Sequence, residues 1–261
     1  MKLSKVLLVA IALVAISASA ALAADKLIIG ASPFPHAEIL KVVAPLMEKE
    51  GFPIEIKEFN DYVTPNIALN DGSLAANYFQ HIPYLENMIK EQKFDLAWVA
   101  KVHIEPIGLY SKKIKAVSEI EDGDTVAIPN DPTNCARALR LLEKAGLLKV
   151  KEGDLVTARD VTENPKKLKI VELEAAQLPR TLDDTAASVI NTNFAVEAGL
   201  IPANDAIIIE GAESPYVNVL AVRAADVDKP EIKALVKAIN SPEVKKFIET
   251  ELVPKGIVPA F

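Results

Sequence analysis

Cysteine is nearly missing from this chain of 261 residues: Cys135 stands alone. A single cysteine excludes an internal disulfide, and no Cys/His group has the spacing of a structural zinc site. Histidine is scarce too, with three residues, so no metal site and no cofactor are expected. Runs of lysine and arginine are absent and acids outnumber bases, 36 to 29. That balance disfavours nucleic acid or an anionic membrane surface as partner. No repeat, low-complexity block or Ser/Gly linker interrupts the chain, and past the first residues no apolar run approaches the length of a membrane span.

The one long apolar stretch is Val6 to Ile16, preceded by Lys2 and Lys5 and followed by small residues to Ala23. This is the layout of a cleavable secretory signal, assigned to residues 1–23. Taking away its two lysines moves the net charge from −7 to −9. The expected mature protein is periplasmic, and monomeric. The rest is long enough for one large domain or two of ordinary size.

Short apolar runs alternate with helical patterns. Strands are expected at Lys26–Ala31, Ile54–Phe59, Leu96–Val102, Pro106–Tyr110, Thr125–Ile128, Leu168–Leu173, Ala187–Ile190, Ile207–Ile209 (buried) and Val217–Val222. Helices are expected at His36–Glu50, from Thr64, at Pro83–Gln92, after Pro132, at Phe194–Ala198, Pro230–Asn240 and Pro242–Leu252. The alternation argues for α/β architecture with largely parallel sheets. Hinge-like clusters near 104–112 and 211–218 suggest two crossings between two lobes, with a ligand cleft between them.

Chemistry concentrates in four places. In the strand–turn–helix of 123–142, Asp131 or Thr133 can cap the helix and Pro132 suits its first turn. The free N–H groups there attract an anion, and Arg137 and Asn134 add donors that suit a small carboxylate. Residues 59–84 hold five of the 14 Phe, Tyr and Trp residues. Tyr62, Phe79, His81 and Tyr84 form either an aromatic wall for an apolar or thioether side chain or a local mini-core. Asn191 and Asn218 each offer a donor and an acceptor near strand ends. His103 with Glu105, or Cys135 with a histidine base, would be the candidates for catalysis; the latter would make the chain a secreted cysteine-dependent hydrolase.

The segments N-D-Y-V-T-P-N (60–66), N-Y-F-Q-H-I-P-Y-L (77–85), H-I-E-P-I-G-L-Y-S (103–111), I-P-N-D-P-T-N-C-A-R-A-L (128–139), L-P-R-T-L-D-D (178–184), V-I-N-T-N-F-A (189–195) and S-P-Y-V-N (214–218) occur in order along the chain. Together they resemble the NlpA/MetQ family of methionine-binding proteins that serve ABC importers. The resemblance implies a type II periplasmic-binding-protein fold, with lobe I at 24–109 plus 219–261 and lobe II at 110–218. It further implies a binder, not an enzyme, that delivers methionine, with L-methionine expected, to a membrane permease. D-methionine, a methionine dipeptide or another small carboxylate are the alternatives. Carried over by residue, Arg137 and Asn134 would hold the ligand carboxylate, and Tyr62, Phe79, His81 and Tyr84 would wall its side chain. Asn191 and Asn218 would fix the head group, with His103 nearby. The sequence departs from the family twice: no cysteine follows the leader at Ala21–Ala24, so no lipid anchor is expected, and Ile107 replaces a methionine.

Overall fold

The computed structural model describes residues 26–211 and 214–261. The leader assigned to residues 1–23 lies outside them. The chain begins with β1 (Leu27–Ala31), α1 (Glu38–Lys49), β2 (Ile54–Glu58), α2 (Thr64–Asn70), β3 (Ala76–His81), α3 (Ile82–Gln92) and β4 (Leu96–Ile104). It then builds β5 (Gly108–Tyr110), β6 (Thr125–Pro129), α4 (Pro132–Lys144), the short hairpin β7 (Lys149–Val150) and β8 (Val161–Glu163), β9 (Lys169–Leu173), β10 (Ala187–Ile190), α5 (Thr192–Glu197), α6 (Pro202–Asp205) and β11 (Ala206–Ile209). It returns through β12 (Val217–Arg223), α7 (Pro230–Ile239), α8 (Pro242–Phe247) and β13 (Val258–Pro259). Among the described residues no helix is long and apolar enough to cross a membrane.

Two sheets result, ordered β13-β4-β12-β3-β1-β2 and β11-β5-β10-β6-β9. They share one plan. In each, a first strand lies between two parallel neighbours, β1 between β2 and β3, β6 between β9 and β10. Next to the third strand runs an antiparallel one that has arrived from the other lobe, β12 in the first sheet and β5 in the second. The expectation of largely parallel sheets is therefore corrected: both are mixed, because a strand that crosses between lobes enters from the opposite end. This is the type II arrangement that the resemblance implied.

Sheet membership also moves the expected lobe boundaries. Gly108 and Leu109 pair with β10, so they belong with the second lobe, while Val217 and Asn218 pair with β4 in the first. The crossings are thus 105–107 and 210–216. The run at 207–209, expected to be buried, is an edge strand on which Ile209 is 39% exposed.

Each lobe has its own core. In the first, Leu40, Val43 and Met47 of α1 pack with Ile29, Val102, Leu220 and Leu235. In the second, Leu139 and Leu142 of α4 pack on Leu109, Val126, Ile128 and Val189. Fully burying one such side chain stabilises by about 2 kcal/mol, so each sheet and its helices stand on their own apolar contacts. Ile107, the departure from the family pattern, is fully buried in the second core. Its change of volume is felt in packing and not in the cleft.

Candidate functional site

The helix start at Asp131 takes a definite form. Asp131 caps α4: its carboxylate accepts from the Asn134 backbone N–H at 2.9 Å and from the Thr133 hydroxyl at 2.9 Å. Asp131 also accepts two bonds from the Asn134 side-chain amide. One of the N–H groups expected to attract a ligand anion, that of Asn134, thus already faces a carboxylate. Asn134 has a different task from the donor role expected of it. Its Oδ1 accepts from Asn191 Nδ2 at 3.0 Å and faces His81 Nε2 at 3.1 Å. Since His81 Nδ1 accepts from the Tyr84 backbone N–H, Nε2 carries the proton and donates to Asn134. The amide of Asn134 is fully engaged, and it links α4 to both lobes.

Between the lobes lies a cavity. The first lobe contributes Tyr62, Phe79, His81 and Tyr84, with Gln80 and Asn218; the second contributes Asn134, Arg137, Asn191, Thr192 and Asn193, and Glu105 stands on the first crossing. The four aromatic residues stack edge-on or tilted, with ring centroids 6.0 to 6.1 Å apart. Phe194 closes on Tyr62 from the second lobe at 5.1 Å. The Tyr62 hydroxyl donates to Asn193 Oδ1 at 2.6 Å, bridging the lobes, and the Tyr84 hydroxyl donates to the Tyr62 carbonyl. On the polar side, Asn191 Oδ1 and Asn193 Nδ2 are buried without a hydrogen-bond partner. Buried polar atoms are almost always bonded, so an unpartnered acceptor and an unpartnered donor on one cavity wall mark a place for a polar ligand group.

Arg137 is buried, 3% exposed, and it is not waiting unpaired. Its Nε lies 3.1 Å from both oxygens of Glu210, Nη2 also meets Glu210, and Nη2 donates to the Glu105 carbonyl at 2.7 Å. The guanidinium stacks over the Tyr216 ring, 4.1 Å from its centre. One edge of the guanidinium is thus held by the two crossings, and Arg137 still lines the cavity.

His103 does not line it. It is fully buried behind the wall, with Nε2 donating to Glu105 at 2.8 Å and Nδ1 meeting the Tyr78 hydroxyl. His36, unremarked in the sequence, joins them: its Nε2 is 3.0 Å from Asn218 Oδ1 and 3.3 Å from Glu105. The potential ligand atoms of His36, His103 and Glu105 lie within 4.8 Å of one another. They read as a sealed hydrogen-bond relay that aims Glu105, since the facing atoms already bond each other and none of the three is more than 6% exposed. Burial lowers the pKa of His36 to about 4 and those of His81 and His103 to about 3, and raises that of Glu105. Glu105 is held down against that rise by His36, Arg137 and the Asn193 N–H.

Eight of the nine expected residues surround the cavity. Gln80, Thr192, Asn193 and Glu105 were missed as lining residues, although Thr192 and Asn193 adjoin Asn191 in the same helix start. Cys135 is 2% exposed, away from the cavity, with its thiol pushed up to about 12 by burial and then by Glu172. A thiol so hard to ionise is a poor nucleophile, which counts against the hydrolase reading.

Residues 27–261 match the NlpA lipoprotein family. The chain is 50% identical over 212 residues to the D-methionine-binding lipoprotein MetQ of Escherichia coli K12, covering 80% of this chain and 78% of the relative. It is 51% identical over 212 residues, with the same coverage, to the protein of that name from Salmonella typhimurium. Among solved structures, a nutrient binding protein from Burkholderia cenocepacia bound to methionine superimposes with a TM-score of 0.87, at 47% identity, covering 90% of this chain and all of that one. These relatives are binding proteins. The curated ones are named lipoproteins, which overturns the expectation of a protein without a lipid anchor. That expectation rested on one residue type missing from the leader, in a stretch outside the described residues, and the folded lobes carry no signal of acylation either way.

Proposed function

Because this chain belongs to the NlpA lipoprotein family, we propose that it is the methionine-binding component of an ABC-type importer, working in the periplasm. The observation that carries the reading is the composition of the interlobe cavity described above: aromatic rings on one side, and Arg137, Glu105 and two unpartnered amide atoms on the other. A thioether side chain fits against ring edges. The ligand carboxylate would take the remaining Arg137 edge and Asn193 Nδ2. The ammonium would take Glu105 and Asn191 Oδ1. Gln80, itself part of the wall, is held in place by Asn66 and Asn77.

Binding follows clamshell logic. A ligand engages one lobe, closure adds contacts from the other, and the closed form is the one a permease reads. The Tyr62–Asn193 and His81–Asn134 bonds cross the cleft and fasten that form. No catalysis is proposed: the thiol of Cys135 resists ionisation, and His103 is sealed away from the cavity. Calorimetric titration with L- and D-methionine tests the reading and decides the stereochemistry. Binding of neither enantiomer, by protein freed of carried-over ligand, would overturn it.

A further inference from the structure

We propose that Glu210 is a selectivity residue of this cavity. It holds Arg137 by its Nε edge and offsets the guanidinium charge, and so restricts the site to ligands that carry an ammonium as well as a carboxylate. The inference rests on the amino-acid reading above and adds which protein group rejects a bare acid.

Glu210 comes from the second crossing, not from the wall. Its backbone N–H donates to the Ile107 carbonyl at 2.9 Å, and the Ser214 hydroxyl donates to its carboxylate at 3.2 Å. It is therefore fixed where it meets Arg137, 73 residues away in sequence. Among the cavity-lining residues Arg137 is the one formal cation and Glu105 the one acid. With Glu210 bonded to Arg137, the guanidinium is balanced before any ligand enters. A monoanion then meets no surplus of positive charge and has Glu105 against it. A zwitterion meets Arg137 with one end and Glu105 with the other and adds no net charge to the site, whereas the bare acid adds one negative charge. Paired charges are what a desolvated site tolerates. Had the purpose been to bind any carboxylate, an unbalanced arginine would have served better.

The test compares methionine with 4-(methylthio)butanoate, the same molecule without its amino group. Both are titrated calorimetrically into the wild-type protein, Glu210→Gln and Glu210→Asp, with Glu210→Met as a second neutral variant of similar length should the amide variant not fold. In a neutral variant the preference for methionine over the bare acid is expected to narrow by about tenfold or more, the size of a unit charge acting within a few ångströms. Glu210→Asp, which keeps the charge, is expected to retain a preference within about twofold of wild type. A purely structural Glu210 would weaken both ligands by the same factor; that result overturns the proposal, as does a shift in Glu210→Asp equal to that of the neutral variants. Wild-type protein that binds neither ligand would instead refute the amino-acid reading itself, a failure seen before any variant is made.

Discussion

The two lobes share one sheet plan and contribute opposite chemistry to the cleft. The first presents rings from β3, α3 and the turn before α2, and it holds all three histidines of the chain. The second presents amides and a guanidinium from the starts of α4 and α5. The lesson is that closure is selective when each half reads a different end of the ligand, because only a molecule with both ends gains from bringing the halves together.

The contrast is most easily broken with acid. The three histidines are neutral when folded and titrate near 6.5 when unfolded. The unfolded chain therefore binds more protons as pH falls from about 6.5 to about 4. Stability is complete above that window and drops through it by about 1.4 kcal/mol per histidine per pH unit. Glu105, raised by burial, offsets part of the loss because its folded form takes a proton earlier than the unfolded chain does. Hydrogen exchange followed from pH 7 to pH 4 should show the first lobe loosening before the second, which lacks histidine. Simultaneous loss in both would erase the distinction.

On the other side of the cleft, Arg137→Ala should weaken methionine binding by roughly a hundredfold or more, since breaking a buried charge pair costs several kcal/mol. Unchanged affinity on titration would remove Arg137 from the site. Tyr62→Phe deletes one hydroxyl and strands Asn193 Oδ1, which should cost roughly fivefold in affinity with little change in fold. Were the two lobes to act independently, that variant would bind like wild type. The smallest effect is expected at Cys135: iodoacetamide at pH 8 should leave the native thiol unmodified and label it after denaturation, and Cys135→Ala should bind methionine as wild type does. Rapid native labelling with loss of binding would return the thiol to consideration.

Local features were legible. The α4 boundaries follow from Asp131-Pro132 at one end and Gly146 at the other, where φ is +75°, a conformation glycine adopts freely. The strand Ala187–Ile190 was read to the residue, since a short apolar run after turn residues has few alternatives. The aromatic cluster of 59–84 could be seen, yet whether it formed a wall or a mini-core could not. The apolar run 207–209 looked central and proved to lie on an edge. Periodicity reports how apolar a segment is, not how many neighbours its sheet will give it. In the sequence Glu105 stands out only beside His103, because nothing local shows which of its neighbours faces a cavity.

By itself the sequence determined the α/β class, the residue types of the site and the family, since helix caps, apolar periods and ordered motifs are all written within a few residues. Tertiary structure alone decided who holds whom. His36 reaches Asn218 across 182 positions, Arg137 reaches Glu210 across 73, and Asn134 engages its amide with Asp131, His81 and Asn191. The long-range pairings among these depend on which strand crosses between lobes and from which end it enters its sheet, and a linear pattern does not contain that geometry.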